Sequence, residues 1–395
     1  MRITEASYSA FAAFGLFWGT WGAALPGLRA EAGLDEGQLG IALLFVGLGA
    51  LPAMLFTGRA VDRFGARTAG LLLIMLAGAG AVIALSADGL LALSLGMALV
   101  GATSGAADVA SNALAGFAEQ RSGRRIITTS HGVFSAFVVI GSLGAGALFY
   151  GGAAVVVVFA TAGTLITIFG VMVFVLGGGP HSSPAKTPEA TAGRTATRGR
   201  NRTRLALPFV VVGLVGALGF AVENAHQSWS AIFLADELGA GAGLAASAPA
   251  TFAVFAALTR FAAGAFTRIQ TRTLLYGGAS LAVIGTILLS IAPSIPVALV
   301  GLALAAIGTS VLFPTLLSHA TRDVPAHQRG TATSTVATTA YLGFVLGPVY
   351  VGLLADLTDL RGAMIGVAAL AGAFALLAPP VTRHRPSVAT RSHVG

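Results

Sequence analysis

Two carboxylates lie inside long apolar runs of the sequence, where charged groups are rare. Asp108 occurs in the run GAADVASN and Glu223 in the run ENAHQSWS. Because an ionised carboxylate in lipid is costly, each must face a water-filled cavity, bind a proton or pair with a cation. A carboxylate that binds and releases a proton in such a place can serve as a proton-coupling site. A fixed hydrogen bond or ion pair between helices is the alternative for each acid.

Polar and aromatic side chains near these acids are candidates for a solute-binding surface. Asp108 and Asn112 are four residues apart and share one helix face, while Glu223, His226 and Gln227 share another. The other candidates are aromatic or amide side chains within apolar runs: Trp18, Trp21, Asn224, Trp229 and Tyr341. An aromatic ring can stack against a solute or simply pack between helices, and the sequence leaves both open.

The composition places the chain among membrane proteins with several spans. Its 395 residues are 55% hydrophobic and 10% charged, with a mean hydropathy of +0.85, which is outside the range of soluble globular proteins. The net charge of +8 does not indicate a nucleic-acid partner, because the basic residues lie in short loops between apolar runs. Cysteine and the H-E-x-x-H, G-x-S-x-G and phosphate-loop motifs are all absent, so no metal site, cofactor or enzymatic centre is predicted.

Apolar windows of spanning length predict twelve transmembrane helices. The predicted spans are 8–27, 38–57, 68–87, 90–117, 129–151, 153–176, 207–234, 243–267, 273–292, 296–320, 330–355 and 363–379. The chain divides into an N-terminal half at 1–177, a basic, disordered linker at 178–205, a C-terminal half at 206–380 and a basic tail at 381–395. The expected fold class is therefore an all-α membrane protein.

The charges of the loops predict the orientation. In the alternating topology, Arg29 and Arg361 are the only basic residues of one set of loops. The other 21 of the 23 Lys and Arg residues, including those of the linker, are assigned to the opposite side. Since basic loops stay in the cytoplasm, we expect both termini and the linker to be cytoplasmic, in a bacterial inner membrane.

The loop between the second and third spans carries a motif with a known counterpart. Its sequence, GRAVDRFGAR, spaces five residues in a fixed pattern: Gly58, Asp62, Arg63, Gly65 and Arg67. This resembles the cytoplasmic signature of the major facilitator superfamily. The resemblance implies a gate, in which Asp62 approaches a helix end of the other half while the arginines pair with acids. A tight basic turn is the alternative.

Further segments resemble one branch of that superfamily. GAADVASNALAG, ENAHQSWSAIFL, FPTLLSHA and YLGFVLGPVYVGLLAD are similar to the MosC-like branch of the rhizopine locus, and more remotely to fucose-type sugar permeases. The resemblance implies two pseudo-symmetric six-helix bundles with a solute cavity between them near the membrane midplane. It also implies alternating access, in which the cavity opens to one side of the membrane at a time.

Together these features predict proton-coupled transport of a small polar solute, such as a sugar, a polyol or a related metabolite, by a monomer in the bilayer. Proton-driven efflux of a drug or secreted metabolite is the first alternative, and a sensor that keeps a transporter fold is the second. The fifth span is evidence against efflux. Similar exporters carry Gly-Pro near the end of this span, where this chain has Ala145 and Gly146. The absence of Gly-Pro weakens the efflux alternative but does not exclude it.

Overall fold

The computed structural model describes residues 2–177, 199–265 and 270–383, and within them the chain forms fourteen α-helices and no strand. The six helices of the first half are α1 (Arg2–Ala32), α2 (Glu36–Phe64), α3 (Arg67–Ser86), α4 (Gly89–Ser122), α5 (Ile126–Tyr150) and α6 (Val155–Leu176). The eight helices of the second half are α7 (Gly199–Leu238), α8 (Ala242–Ala245), α9 (Ser247–Ala265), α10 (Thr271–Ser290), α11 (Ile295–Thr309), α12 (Leu312–Thr321), α13 (Ala326–Leu357) and α14 (Leu360–Arg383).

The helices have the length and hydropathy that a membrane requires. Eleven spans in the described part of the chain are long and apolar enough to cross a bilayer, with α8 and α9 forming one span and α11 and α12 another. The twelfth, α1, has 31 residues and is therefore long enough. It is less apolar than the other eleven because Trp18, Thr20, Trp21 and several glycines occupy its centre. The predicted all-α membrane architecture is confirmed.

The two halves of the chain repeat one packing scheme. In the first half α1 packs on α5, α2 on α4 and α3 on α6. In the second half the corresponding pairs are α7 with α13, α9 with α11 and α10 with α14. Glycines allow close approach at equivalent places, since Gly141 of α5 lies against the carbonyl of Leu16 and Gly343 of α13 against that of Ala217. The two six-span bundles are thus pseudo-symmetric.

The eighth and tenth spans, predicted as continuous, are each broken into two helices. The reason is a proline at the third position of the second piece, Pro249 in α9 and Pro314 in α12. A proline ring clashes with the carbonyl four residues earlier and supplies no N–H to bond it. Ala245 and Ser310 are those residues, and each lies where the first helix of its span ends.

The linker falls largely outside the described residues. Helix α7 begins at Gly199, so the last part of the predicted 178–205 linker is helical. Residues 178–198 and 384–395 are not described, and the disorder of the linker and tail stays a prediction. We call the side of the molecule where α6 ends and α7 begins the linker side, and the opposite side the far side.

The two bundles are in close contact on the far side. Arg29, near the end of α1, forms an ion pair with Asp236 near the end of α7. Helices α2 and α13 also touch there, since a side chain at Gly40 would come within 3.0 Å of Gly352. By contrast, α4 and α12 form extensive contacts only within their own bundles. The described helices are therefore tightly closed on the far side.

Candidate functional site

A cavity of about 270 Å³ lies between the two bundles. Helices α1, α2, α4 and α5 contribute one wall, and α7, α9 and α13 contribute the other. Its polar and charged lining consists of Ser104, Asp108, Ser135, Asn224, Gln227, Ser228 and Arg260. Its aromatic lining consists of Phe14, Trp18, Trp21, Phe134, Phe252, Tyr341 and Phe344. Most of the residues that the sequence nominated therefore come together at one place.

Asp108 is the acid that lines this cavity. The side-chain amide of Asn112, one turn along α4, donates to Asp108 Oδ1 at 2.9 Å and to its main-chain oxygen at 3.0 Å. Asn112 itself does not line the cavity, and its contribution is to orient the Asp108 carboxylate. Among the described residues, Asp108 Oδ2 accepts no hydrogen bond and no cation lies within ion-pair distance. The carboxylate is thus oriented by one neighbour and left without a counter-charge.

Glu223 lies beside the cavity in an ion pair. Arg260 of α9 donates from Nη2 to Glu223 Oε1 at 2.6 Å, and Gln227 donates to the same oxygen at 3.1 Å. The Glu223 side chain is 13% exposed and that of Arg260 is 45% exposed. Arg260 and Gln227 line the cavity, so Glu223 stands behind them. Of the three outcomes predicted for an acid in a span, Glu223 adopts the ion pair and Asp108 the cavity.

Arg260 is the site residue that sequence reasoning missed. It was assigned to the basic side of the membrane, whereas the structure places it inside α9, within the eighth span. Its Nε donates to the carbonyl of Ser310 at 3.4 Å, which is the carbonyl left without a helical donor by Pro314. The sequence did contain a sign of this role. Arg260 lies seven residues inside the predicted 243–267 span, and a charge within a span requires an opposite charge nearby.

Asn224 and Tyr341 form the polar seam between α7 and α13. The amide of Asn224 donates to the carbonyl of Phe344 at 2.8 Å and accepts from the hydroxyl of Ser228 at 2.7 Å. The ring of Tyr341 stacks on Phe344 with 5.1 Å between centroids. Tyr341 is also close enough to Asp108, in the opposite bundle, to interact with its charge. These contacts hold both side chains at the cavity wall.

Trp18 and Trp21 form an aromatic cluster on α1. Their ring centroids are 6.1 Å apart in an edge-to-face arrangement, and Phe14 packs edge-on to Trp18 at 6.2 Å. Trp21 is also stacked on Phe17, which is buried in the core of the N-terminal bundle. One side of the cluster therefore packs in the core and the other lines the cavity, and stacking against a solute stays a prediction.

His226 and Trp229 face their own bundle instead of the cavity. His226 is fully buried, with Nδ1 2.7 Å from the carbonyl of Val222 and Nε2 3.1 Å from the hydroxyl of Thr286. A carbonyl only accepts, so Nδ1 of His226 donates to Val222, while the hydroxyl proton of Thr286 goes to the carbonyl of Ala282 at 2.7 Å. Trp229 is fully buried in the core. Neither side chain lines the cavity in this conformation.

The predicted gate motif lies on the linker side, where Gly58, Asp62 and Arg63 belong to the end of α2, Gly65 to the turn and Arg67 to the start of α3. Gly65 ends α2 with a φ of +69°, which favours glycine, and its N–H donates to the carbonyl of Val61 at 2.8 Å. Arg63 and Arg67 each lie over a phenylalanine ring, at 5.3 and 5.5 Å from its centroid. Asp62 is exposed and makes no hydrogen bond or ion pair within the described ranges, and Gly58 lies next to open space. A latch at Asp62 stays a prediction.

Curated proteins similar to this chain are bacterial membrane proteins. An uncharacterized transporter, y4wD of Sinorhizobium fredii, is 29% identical over 377 residues, which cover 92% of this chain and 94% of that protein. The membrane protein MosC of Rhizobium meliloti is 24% identical over 379 residues, which cover 94% of this chain and 88% of MosC. The predicted resemblance to the MosC-like branch is confirmed.

Solved structures with the same fold are transporters. A bacterial homologue of the lysosomal transporter Spinster, in an inward-facing and unoccupied conformation, matches with a TM-score of 0.76 and 17% identity, over 96% of each chain. The nucleoside transporter NupG matches with a TM-score of 0.70 and 15% identity, over 98% of this chain and all of that one. The sequence profile of the Major Facilitator Superfamily matches residues 7–348 and 214–393. This chain therefore belongs to the Major Facilitator Superfamily of transporters.

Proposed function

We propose that this protein moves a small polar solute across the bacterial inner membrane by alternating access, coupled to protons through Asp108. The observation that carries the proposal is the environment of that carboxylate. Asp108 lines a cavity of about 270 Å³ between the bundles and has no cation partner among the described residues. A buried carboxylate without a counter-charge is stabilised by binding a proton. Its protonation state therefore changes the charge of the cavity by one unit.

Asp108 is a better proton site than Glu223, although the sequence nominated both. The ion pair between Glu223 and Arg260, at 2.6 Å, already balances the charge of that acid. A proton on Glu223 would remove this attraction and leave Arg260 without its charged partner, so the ion pair opposes protonation there. A proton on Asp108 removes an unbalanced charge and breaks no ion pair. Asp108 is thus the group whose titration is least opposed by its surroundings.

The conformation supports the alternating-access part of the proposal. The far side is closed by the Arg29–Asp236 ion pair and by the approach of Gly40 to Gly352. With the linker side in the cytoplasm, as the loop charges predict, the closed side is the extracellular one. In the proposed cycle, a state closed on the far side exchanges solute and protons with the cytoplasm. Neutralisation of Asp108 then lets the bundles close over an occupied cavity and reopen on the far side.

The size of the cavity limits the solute. Pockets for drug-sized molecules have volumes of about 300–1,000 Å³, so a cavity of about 270 Å³ fits a compact molecule better. Its wall combines aromatic rings such as Trp18 with polar groups such as Asn224, Gln227 and Tyr341. A ring of monosaccharide size with several polar substituents matches this lining. The lining supports a sugar, a polyol or a related metabolite.

Reconstitution into vesicles that contain a pH-sensitive dye tests the proposal. Radiolabelled glucose and myo-inositol serve as probes, with an imposed pH gradient, and solute and proton fluxes are recorded together. In wild-type protein we expect a flux of the transported probe that responds to the gradient and is accompanied by protons. An acidic exterior drives uptake by a symporter, whereas an acidic interior drives uptake by an exchanger.

The matched variants are Asp108→Asn, which removes the proposed proton site, and Asp88→Asn, which makes the same change at an exposed turn before α4. We expect Asp108→Asn to move solute only down its own concentration gradient, with no response to pH. Asp88→Asn should behave as wild type. An undiminished pH response in Asp108→Asn would show that the proton binds elsewhere.

A further inference from the structure

The serine hydroxyl groups of the cavity present acceptors and no free protons to a solute. Ser104 donates its proton to the carbonyl of Gly101 at 3.2 Å, and Ser135 donates to the carbonyl of His131 at 3.1 Å. Ser228 donates to the side-chain oxygen of Asn224 at 2.7 Å. A serine hydroxyl has one proton, so each of these three offers only lone pairs to the cavity. An N–H donor on a solute complements these three serines.

The charges around the cavity leave a single negative group without a partner. The charged or titratable side chains of the lining are Asp108, Arg260 and Tyr341. Glu223 neutralises Arg260 from behind, and His131 of α5 lies close enough to Arg260 to interact with its charge. Helices α1, α2, α3 and α5, which pack against α4, contribute no charged side chain to the lining. The cavity therefore favours a solute with one positive charge.

Aromatic rings surround the same space. Trp18, Trp21 and Phe14 on one wall and Tyr341 and Phe344 on the other all line the cavity. The faces of aromatic rings attract cations, most strongly when water is excluded. A neutral polyol gains hydrogen bonds from such a site but leaves Asp108 unbalanced unless a proton accompanies it. An ammonium group supplies the positive charge that the carboxylate lacks, in a cavity that the serine acceptors and the aromatic rings also line.

From these three features we propose that the solute carries a protonated amine that binds Asp108 in place of the coupling proton. This rests on the proposed transport function and specifies its substrate class and its stoichiometry. The protonated Asp108 releases one proton to the solvent as one ammonium group binds, and the N–H bonds of the solute stay intact. Because the two cations compete for one carboxylate, the transport is an exchange of amine for proton.

Binding to pairs of molecules that differ only in amine or hydroxyl tests this inference. The probes are glucosamine with glucose, and cyclohexylamine with cyclohexanol, at a pH where the amines are protonated. In detergent-solubilised wild-type protein we expect at least one amine to bind about tenfold or more tightly than its hydroxyl counterpart. Each bound amine should release about one proton into a weakly buffered solution, and the hydroxyl compounds should release none.

Three variants separate charge from folding. Asp108→Asn should lose both the amine preference and the proton release, whereas Asp108→Glu, which keeps a carboxylate, should retain the preference. Asp88→Asn should match wild type. The inference is overturned if no amine binds more tightly than its hydroxyl counterpart, or if Asp108→Asn keeps the preference. In that case, proton flux driven by glucose or myo-inositol would still support the proposed transport function, because the two tests use different probes.

Discussion

The ion pair between Arg29 and Asp236 must break whenever the far side opens, because it joins the two bundles. Replacing Asp236 with Asn removes the charge and keeps the shape of the side chain. Arg29 does not become an isolated charge, since it still donates to Glu36 at 2.6 Å and to the carbonyl of Leu34 at 3.0 Å, both in its own bundle. The substitution therefore weakens only the contact between bundles, and we expect it to favour the state that is open on the far side.

The expected size of this shift between the two states follows from the exposure of the two side chains in the ion pair. The Arg29 side chain is 18% exposed and that of Asp236 is 40% exposed, so solvent screens a large part of the attraction. Exposed pairs contribute about 0.2–1 kcal/mol, and the partial burial of Arg29 places this one near the upper end. A loss of about 1 kcal/mol changes the ratio of the two states about fivefold.

The neighbouring residue provides a matched control. Glu237 accepts from Arg361 Nε at 2.9 Å, and this pair lies within the C-terminal bundle, between α7 and α14. Arg361 also keeps its bonds to the carbonyls of Ser290 and Ala292. Glu237→Gln thus removes a similar ion pair that moves with one rigid bundle. We expect it to lower thermal stability slightly and to leave the balance between the two states unchanged.

Spin labels on the far side measure this balance. The sequence has no cysteine, so an introduced pair at Glu31 and Gly241, one in each bundle and both exposed, can be labelled without background. Pulsed electron resonance then gives the distribution of distances between the labels. We expect the long-distance population to rise about fivefold in Asp236→Asn but not in Glu237→Gln. Equal distributions in the two variants would refute the role of the Arg29–Asp236 pair as a closure between bundles.

Two further predictions concern stability, measured by thermal unfolding in detergent. Glu223→Gln should destabilise the protein by leaving Arg260 unpaired, and the double replacement Glu223→Gln with Arg260→Gln should recover part of the loss. Because Arg260 is 45% exposed, solvent screens the pair and the coupling energy should be about 0.5–1 kcal/mol; additive losses would show that the pair contributes nothing. Gly65→Ala should cost about 1–3 kcal/mol because φ is +69° there, while Gly58→Ala, in a helix next to open space, should be neutral or slightly stabilising. Equal melting temperatures for these two glycine variants would contradict the strain argument.

The sequence by itself determined the architecture, because the bilayer restricts what a spanning segment can be. A backbone in lipid must bond internally, so length and hydropathy were enough to predict the spans and the all-α fold. Local steric rules explain the end of α2. Gly65 adopts a φ of +69°, which favours glycine, and it lies in the loop where the motif was found. The breaks before Pro249 and Pro314 follow from equally local rules, but the apolar windows alone did not reveal them.

Only the tertiary structure decided which side chains meet at the site. Asn224 and Gln227 line the cavity whereas His226, in the same turn of α7, is buried against its own bundle, and hydropathy does not distinguish these faces. The rotation of α7 is set by contacts with α13 more than a hundred residues away, including the bond from Asn224 to the Phe344 carbonyl. In the same way Glu223 pairs with Arg260, 37 residues along the chain, while Asp108 has no cation partner in the described part of the chain. The residues of a segment decide whether it spans the membrane, but packing against neighbouring helices decides which of its side chains face the cavity.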